Sequence, residues 1–326
     1  MSFANIYGQE KQIELLMRSI ETERVSHAYL FYGMQGIGKK TSAIAFAKVL
    51  NCKKETRDSC DSCTACIKID HGVHPDVMTI EPEGLFIKIK NIRELQNQIK
   101  FRPFEGKKRV FIIVDAEKMN SPSANALLKT LEEPNPSNIL ILITSRPYQL
   151  PETIISRCQK IRFDPIRRDT IESFLEKETS LDRKSAGILA SSSRGSIGRA
   201  LEMMKQSYVN FKNEMIDKII DWDKAEDPFS CFSFVDDFGD GRQVIAERLE
   251  ILRDWYRDIL IYKETGDPEY LIIRDVIEST KRLSEKFSGE DILKRIKAIN
   301  RAYRAIEQNA NKQLTLESMM FKLLAV

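Results

Sequence analysis

The chain has 326 residues, 42% hydrophobic and 30% charged, a length and balance that suit two or three globular domains with real cores. Its 51 basic and 48 acidic residues leave a net charge of only +3, so no chain-wide nucleic-acid field is expected and any DNA contact has to be local. The longest apolar runs, such as residues 110–114 and 139–143, are far too short to span a bilayer, and the N-terminal MSFANIYGQEKQ lacks the apolar stretch of a secretory signal; together they predict a cytoplasmic protein without membrane contact.

Residues 9–22 carry apolar positions at helical spacing, and residues 27–32 (HAYLFY) read as a short strand. The stretch GMQGIGKKTS follows at once, and residues 41–50 read as a helix. Strand, glycine loop, helix is the setting of a phosphate-binding loop. Gly33-x4-Gly38-Lys39 fits its spacing. Gly33, Gly36 and Gly38 would let backbone N–H groups turn toward phosphate oxygens, and Lys39 would add a positive charge near the terminal phosphates. The next residue normally offers a hydroxyl to Mg²⁺, and here it is Lys40. Slipping the register so that Lys40 and Thr41 become the functional pair fails, because it needs glycines where Met34 and Lys39 stand.

Four of the six cysteines then crowd into Cys52-x7-Cys60-x2-Cys63-x2-Cys66. In a reducing compartment that spacing argues for metal rather than disulfides. Four thiolates suit a closed tetrahedral Zn²⁺ of structural type, in a polar, knuckle-like loop. The neighbouring His71 and His74 are not needed as ligands.

Residues 91–99 read as a helix. The trio Lys107, Lys108 and Arg109 reads as a solvated basic turn before a buried strand at 109–114 (RVFIIV). An acid after such a strand commonly holds Mg²⁺, with a second acid beside it orienting the attacking water. The strand ends Val114-Asp115-Ala116-Glu117, so either register leaves one of those two roles empty. Residues 121–131 predict a helix capped by Ser121 with Pro122 at its first position. Residues 138–144 (NILILIT) and 159–163 predict two more strands. Strands alternating with helices imply a parallel α/β sheet. Arg157, in the tripeptide SRC, is suited by its planar, permanently charged fork to reach a phosphate on a neighbour.

After Pro165 the pattern turns helical: residues 168–178, 182–191, and nearly everything from Leu201 onward, with Trp222 and Trp255 available for cores. Asp236, Asp240, Gly241 and Glu247 match part of a calcium loop, but Phe238 stands at a ligand position, and an acidic turn opening a helix at Arg242 is the better reading.

The loop GMQGIGKKT, the four-cysteine insert, ANALLKTLEEP (124–134), LPETIISRC (150–158) and GSIGRAL (195–201), in this order, resemble the bacterial clamp-loader branch of the AAA+ ATPases. The likeness covers about the first 200 residues. It implies an AAA+ P-loop parallel-sheet domain over 1–166 with a zinc module at 52–66, a small helical lid over 167–207, and an all-helical collar for oligomerisation over 208–326. The family holds ATP-hydrolysing gamma/tau subunits and relatives whose ATP site is degraded. By the family's pattern the metal-binding acid falls on Val114, the catalytic acid on Asp115, the loop hydroxyl on Lys40, the sensor threonine on Thr144 and the lid's sensing arginine on Gly198. These departures place the chain with the degraded relatives, and its ending at Val326 without a long tail agrees. The resemblance makes Arg157 an arginine finger acting in trans on ATP held by an adjacent gamma/tau subunit. It implies a hetero-pentamer with gamma/tau and delta that loads the sliding clamp onto primed DNA within a nucleotidyltransferase holoenzyme. The chain would have no ATPase activity by itself. ATP or ADP binding by the backbone cradle stays open. The rival is an active gamma/tau-type subunit or another AAA+ ATPase.

Overall fold

A computed structural model describes residues 2–54, 57–205, 208–225, 235 and 238–324. The chain forms two compact units. The first is Met1–Lys177 with Arg194–Arg199, and the second is Glu178–Ser193 with Ala200–Val326.

The first unit is built on β1 (Ala28–Tyr32), β2 (Val77–Ile80), β3 (Arg109–Ile113), β4 (Asn138–Thr144) and β5 (Gln159–Arg162). They form a five-stranded sheet in the order β2-β3-β4-β1-β5, and every pairing is parallel. Helices cover both faces, which explains the unbroken apolar runs of β3 and β4. Successive side chains alternate between two cores. Leu30, Phe111, Ile113, Leu140 and Leu142 pack with Leu95 of α4 (Ile89–Ile99) and Leu127 of α5 (Ser121–Glu132). Tyr29, Phe31, Val110, Ile112 and Ile141 pack with Leu16 of α1 (Glu10–Glu21) and Phe46 of α2 (Lys39–Asn51). Parallel strands share their carboxyl ends on one edge, where ligands of open α/β sheets bind.

Several local expectations are revised. The helix after the glycine loop starts at Lys39, two residues earlier than its apolar pattern, with Gly38 as its N-cap. β2 (VMTI) has no clear strand signal in the sequence: it is four residues long and only Ile80 is buried. The cap of α5 is Asn120, whose side chain accepts from the Ser123 N–H at 3.0 Å, and Pro122 follows inside the first turn. The cysteine insert is not all loop, because α3 (Thr64–Asp70) runs through its last cysteine, Cys66. Arg109 is no solvated cation. It is buried and ion-paired with the fully buried Asp76.

α6 (Glu152–Ile155) precedes β5, and α7 (Arg168–Thr179) follows it. The remaining described elements are helical: α8 (Arg183–Ser192), α9 (Ile197–Lys205), α10 (Tyr208–Ala225), α11 (Arg242–Thr265), α12 (Ile277–Lys286), α13 (Gly289–Glu307) and α14 (Lys312–Leu324), besides short 3-10 turns. In the second unit, Trp255 on α11 is fully buried and donates from Nε1 to Thr280 Oγ1 at 3.3 Å. Arg295 on α13 is enclosed, 3.9 Å over the Phe287 ring, and donates to the Tyr256 hydroxyl at 3.1 Å. The Trp222 side chain and Asp236 lie outside the described residues, and Asp240 pairs with Lys312 at 2.8 Å. Among the described residues no helix is long and apolar enough to cross a membrane.

Candidate functional site: a phosphate loop, an arginine and a four-thiol cluster

β1 delivers the glycine loop to the carboxyl edge of the sheet. There the Gly33 N–H donates to the Thr144 carbonyl at the end of β4, at 3.3 Å. Gly33, Gly36 and Gly38 all have positive φ, and Thr41 lies in the first turn of α2. Lys39 is 6% exposed. Its ammonium donates to the Gly33 carbonyl at 2.7 Å and the Met34 carbonyl at 2.6 Å. Burial lowers its pKa to about 8, against the opposing fields of Glu117 and Asp115. Lys40 pairs with Glu81, just beyond β2. Its charge is therefore engaged by a carboxylate.

The acidic edge is rearranged as well. Val114 follows β3 without a carboxylate. Asp115 has a left-handed backbone and pairs with Lys118 at 2.9 Å. Thr144 is fully buried, and its hydroxyl bonds to Glu117. Glu117 Oε1 also accepts from the Ser145 N–H at 3.1 Å and its hydroxyl at 2.7 Å. Burial opposes its ionisation, and these hydrogen bonds prevail to hold its pKa below the ordinary value.

Residues 195–199 of GSIGRAL, which belong to the first unit, lie against the loop. Ser196 Oγ donates to the Gln35 carbonyl at 2.8 Å, and the Gly198 N–H donates to the Gly36 carbonyl at 2.8 Å. A Cβ on Gly36 would come within 2.4 Å of Ser196 Oγ, and one on Gly198 within 2.8 Å of the Gly36 Cα. Neither glycine can carry a side chain without moving the other segment.

Arg157 lies just past α6. It is partly exposed, donates to the Thr153 carbonyl at 2.9 Å, and meets Glu132 at the end of α5 at 2.9 Å.

At the opposite end of α2, Cys52 is the C-cap. The Sγ atoms of Cys52, Cys60, Cys63 and Cys66 all lie within 4.8 Å of one another. A tetrahedral site with metal–sulfur bonds of about 2.3 Å has sulfur–sulfur edges of about 3.8 Å, so the donors fit a metal ion. The Cys63 N–H points at Cys60 Sγ, 3.3 Å away. Backbone N–H donation from Ser62, against a smaller effect of burial, brings the Cys60 thiol down to about 6. Both favour a thiolate ligand. His74 stays outside the set: its Nδ1 accepts from the Asp76 N–H at 3.1 Å.

Residues 8–167 match the family described as DNA polymerase III, delta subunit, and residues 211–324 match its C-terminal family. The delta′ subunit of DNA polymerase III from Bacillus subtilis is 32% identical over 97% of this chain and 96% of its own. The chain belongs to the DNA polymerase III delta-prime family. Tau and gamma relatives are also similar. The tau subunit of Bacillus subtilis is 28% identical over 98% of this chain, which spans 61% of tau. A solved gamma subunit-related protein from Thermotoga maritima aligns over 96% of this chain and 98% of its own, at 18% identity and a TM-score of 0.47.

In this delta-prime family member the sequence motifs converge as a set. The loop, the β3 acids, Thr144 and GSIGRAL meet at one edge of the first unit, and the thiols cluster at the far end of the loop's helix. Sequence reasoning misses three parts. Glu117 has no role by sequence, although it bonds the Thr144 hydroxyl, because its position two residues beyond Asp115 matches neither expected acid. The Gly36–Gly198 contact joins segments far apart in the chain, and no spacing rule reaches it. Lys48 of α2 is fully buried and pairs with Asp61 at 2.6 Å and Asp70 at 2.5 Å. It ties the thiol module to the loop's helix, and its apolar neighbours in sequence give only the signal of a helix interior.

Proposed function

We propose that this chain is the delta-prime subunit of a bacterial DNA polymerase III clamp loader. It helps load the sliding clamp onto primed DNA, has no ATPase activity by itself, and supplies Arg157 to ATP bound by an adjacent gamma/tau subunit. It works in the cytoplasm in a hetero-pentamer with gamma/tau and delta. The division into a P-loop domain (1–166), a lid (167–207) and a collar (208–326) belongs to the same reading, as does a structural Zn²⁺ on the four cysteines. The 32% identity over nearly the whole of a delta′ relative supports the family role.

The inert-site reading rests on two positions read together, Lys40 in the loop and Val114 after β3. Lys40 supplies no hydroxyl for Mg²⁺ and Val114 no carboxylate, so both metal-holding groups are lacking.

The test is Mg²⁺-dependent ATP turnover by the purified chain. No turnover is expected, and equilibrium titration with ATP and ADP, with and without Mg²⁺, should show no strengthening by the metal. Turnover that disappears in Lys39→Ala would overturn the reading in favour of a gamma/tau-type ATPase.

A further inference from the structure

The turn between α4 and β3 holds two phenylalanines in water on an unusually well-fixed backbone. Phe101 is 66% exposed and Phe104 82%. The fully buried Asp76 accepts the N–H groups of Phe104 at 2.7 Å and of Glu105 and Gly106 at 2.8 Å each. Arg109 grips the same carboxylate at 2.9 Å and donates to the carbonyls of Gln98 and Arg102. Asn51 Oδ1 receives the Lys108 N–H at 3.0 Å. Loops normally move, whereas this one is pinned at both ends and in the middle. Large rings displayed on a rigid support are the usual form of a binding platform, since little ordering entropy is lost when a ligand arrives.

Charge selects the ligand. Lys100, Arg102, Lys107 and Lys108 are interleaved with the two rings. The single acid of the segment, Glu105, is neutralised by Lys68 at 2.7 Å. Among the described residues no carboxylate pairs with Lys100 or Arg102. Lys53, beside the thiol cluster, adds positive field at Glu105. Phe101, Arg102, Pro103 and Phe104 line an open groove of about 640 Å³ with Pro75 and Gln98. Cations that track a backbone, with aromatic faces between them, fit unpaired bases; a duplex hides its base faces in the stack. The chain's overall charge is too small to attract DNA broadly, so a local basic stretch is the form such contact must take.

We propose that residues 100–108 form a binding site for single-stranded nucleic acid, with Phe101 and Phe104 stacking on bases and Lys100 and Arg102 meeting phosphates. The site needs neither nucleotide nor partner subunits.

The experiment is fluorescence anisotropy of a labelled oligothymidylate with the full-length chain across a salt series. Saturable binding is expected. Phe101→Ala with Phe104→Ala should weaken it about tenfold or more, given the usual worth of a stacked base. Lys100→Ala with Arg102→Ala should flatten the salt slope by about 1 to 1.5, at about 0.7 for each single-strand phosphate no longer neutralised. These side chains are exposed, so the denaturation midpoint should hold and serves as the check on folding. No saturable binding, or binding indifferent to the phenylalanine pair, overturns the proposal. So does a polyglutamate peptide that binds as tightly as the oligonucleotide, which would make the site one for an acidic peptide. No ATP or other subunit enters the assay, so its failure leaves the clamp-loader reading untouched.

Discussion

Gly36 and Gly198 lie backbone against backbone: the N–H of Gly198 donates to the carbonyl of Gly36 at 2.8 Å, and a Cβ on Gly198 would come within 2.8 Å of the Gly36 Cα. Position 198 therefore has no room for any side chain while this contact stands. Gly198→Ala should destabilise the first unit by about 1–3 kcal/mol, the usual cost of overpacking a tight contact. Urea denaturation measures it, and a change under about 0.5 kcal/mol would mean that the two segments part easily.

Arg157 and Glu132 form a partly exposed pair. Such pairs contribute about 0–1 kcal/mol, so Arg157 can exchange Glu132 for a neighbour's phosphate at little cost. Arg157→Ala should leave the chain's denaturation midpoint unchanged. In a complex reconstituted with gamma/tau and delta it should lower ATP turnover, because an arginine in trans stabilises transition-state charge. An unchanged rate removes the finger role.

Asp76 should govern acid stability of the sheet edge. Burial disfavours its carboxylate, but the N–H groups of Phe104, Glu105 and Gly106 and the Arg109 guanidinium prevail and lower its pKa to about 2. The unfolded value is near 3.8. The unfolded chain thus binds the proton more readily, and the stabilisation, complete above about pH 4, is lost as pH falls toward 2. Asp76→Ala should cost about 3–5 kcal/mol at neutral pH, since it leaves Arg109 buried and unpaired. Its stability should also vary less than wild type's between pH 4 and pH 2, as read by denaturation at each pH.

The four-thiol cluster should hold one zinc per chain in protein purified without chelator. Cobalt substitution should give thiolate-to-metal charge-transfer absorption, and Cys60→Ser should weaken it. Absence of stoichiometric metal ends the structural-site claim.

Lys48 should be as important to the thiol module as a ligand. Its side chain is fully buried between Asp61 and Asp70, and those carboxylates hold its pKa above the usual lysine value despite burial. Lys48→Ala should cost about 1–3 kcal/mol, since the two carboxylates it leaves are about a third exposed, and should speed release of metal to a chelator. A metal-release rate equal to wild type's would show that the module stands without it.

Much of this protein is legible in its sequence. The apolar runs of β3 and β4 are visible because strands buried on both faces need unbroken hydrophobicity. The glycine loop and the cysteine spacing are visible because each motif is local, a few residues whose chemistry does not depend on distant partners. β2 is not, because a short strand with one fully buried residue has no periodicity to detect. Nor is the Asn120 cap, since Asn120 and Ser121 are both good caps and only the backbone path chooses between them. The tertiary structure alone decided where the charges went. Lys39 turned to its own loop carbonyls, Lys40 to Glu81, and Arg109 to Asp76, while Gly198 closed on Gly36. Each is a contact between groups whose chemical types the sequence states but whose distance it does not. An ammonium, a carboxylate or a bare glycine Cα finds its partner only when the folded chain brings the two within a few ångströms.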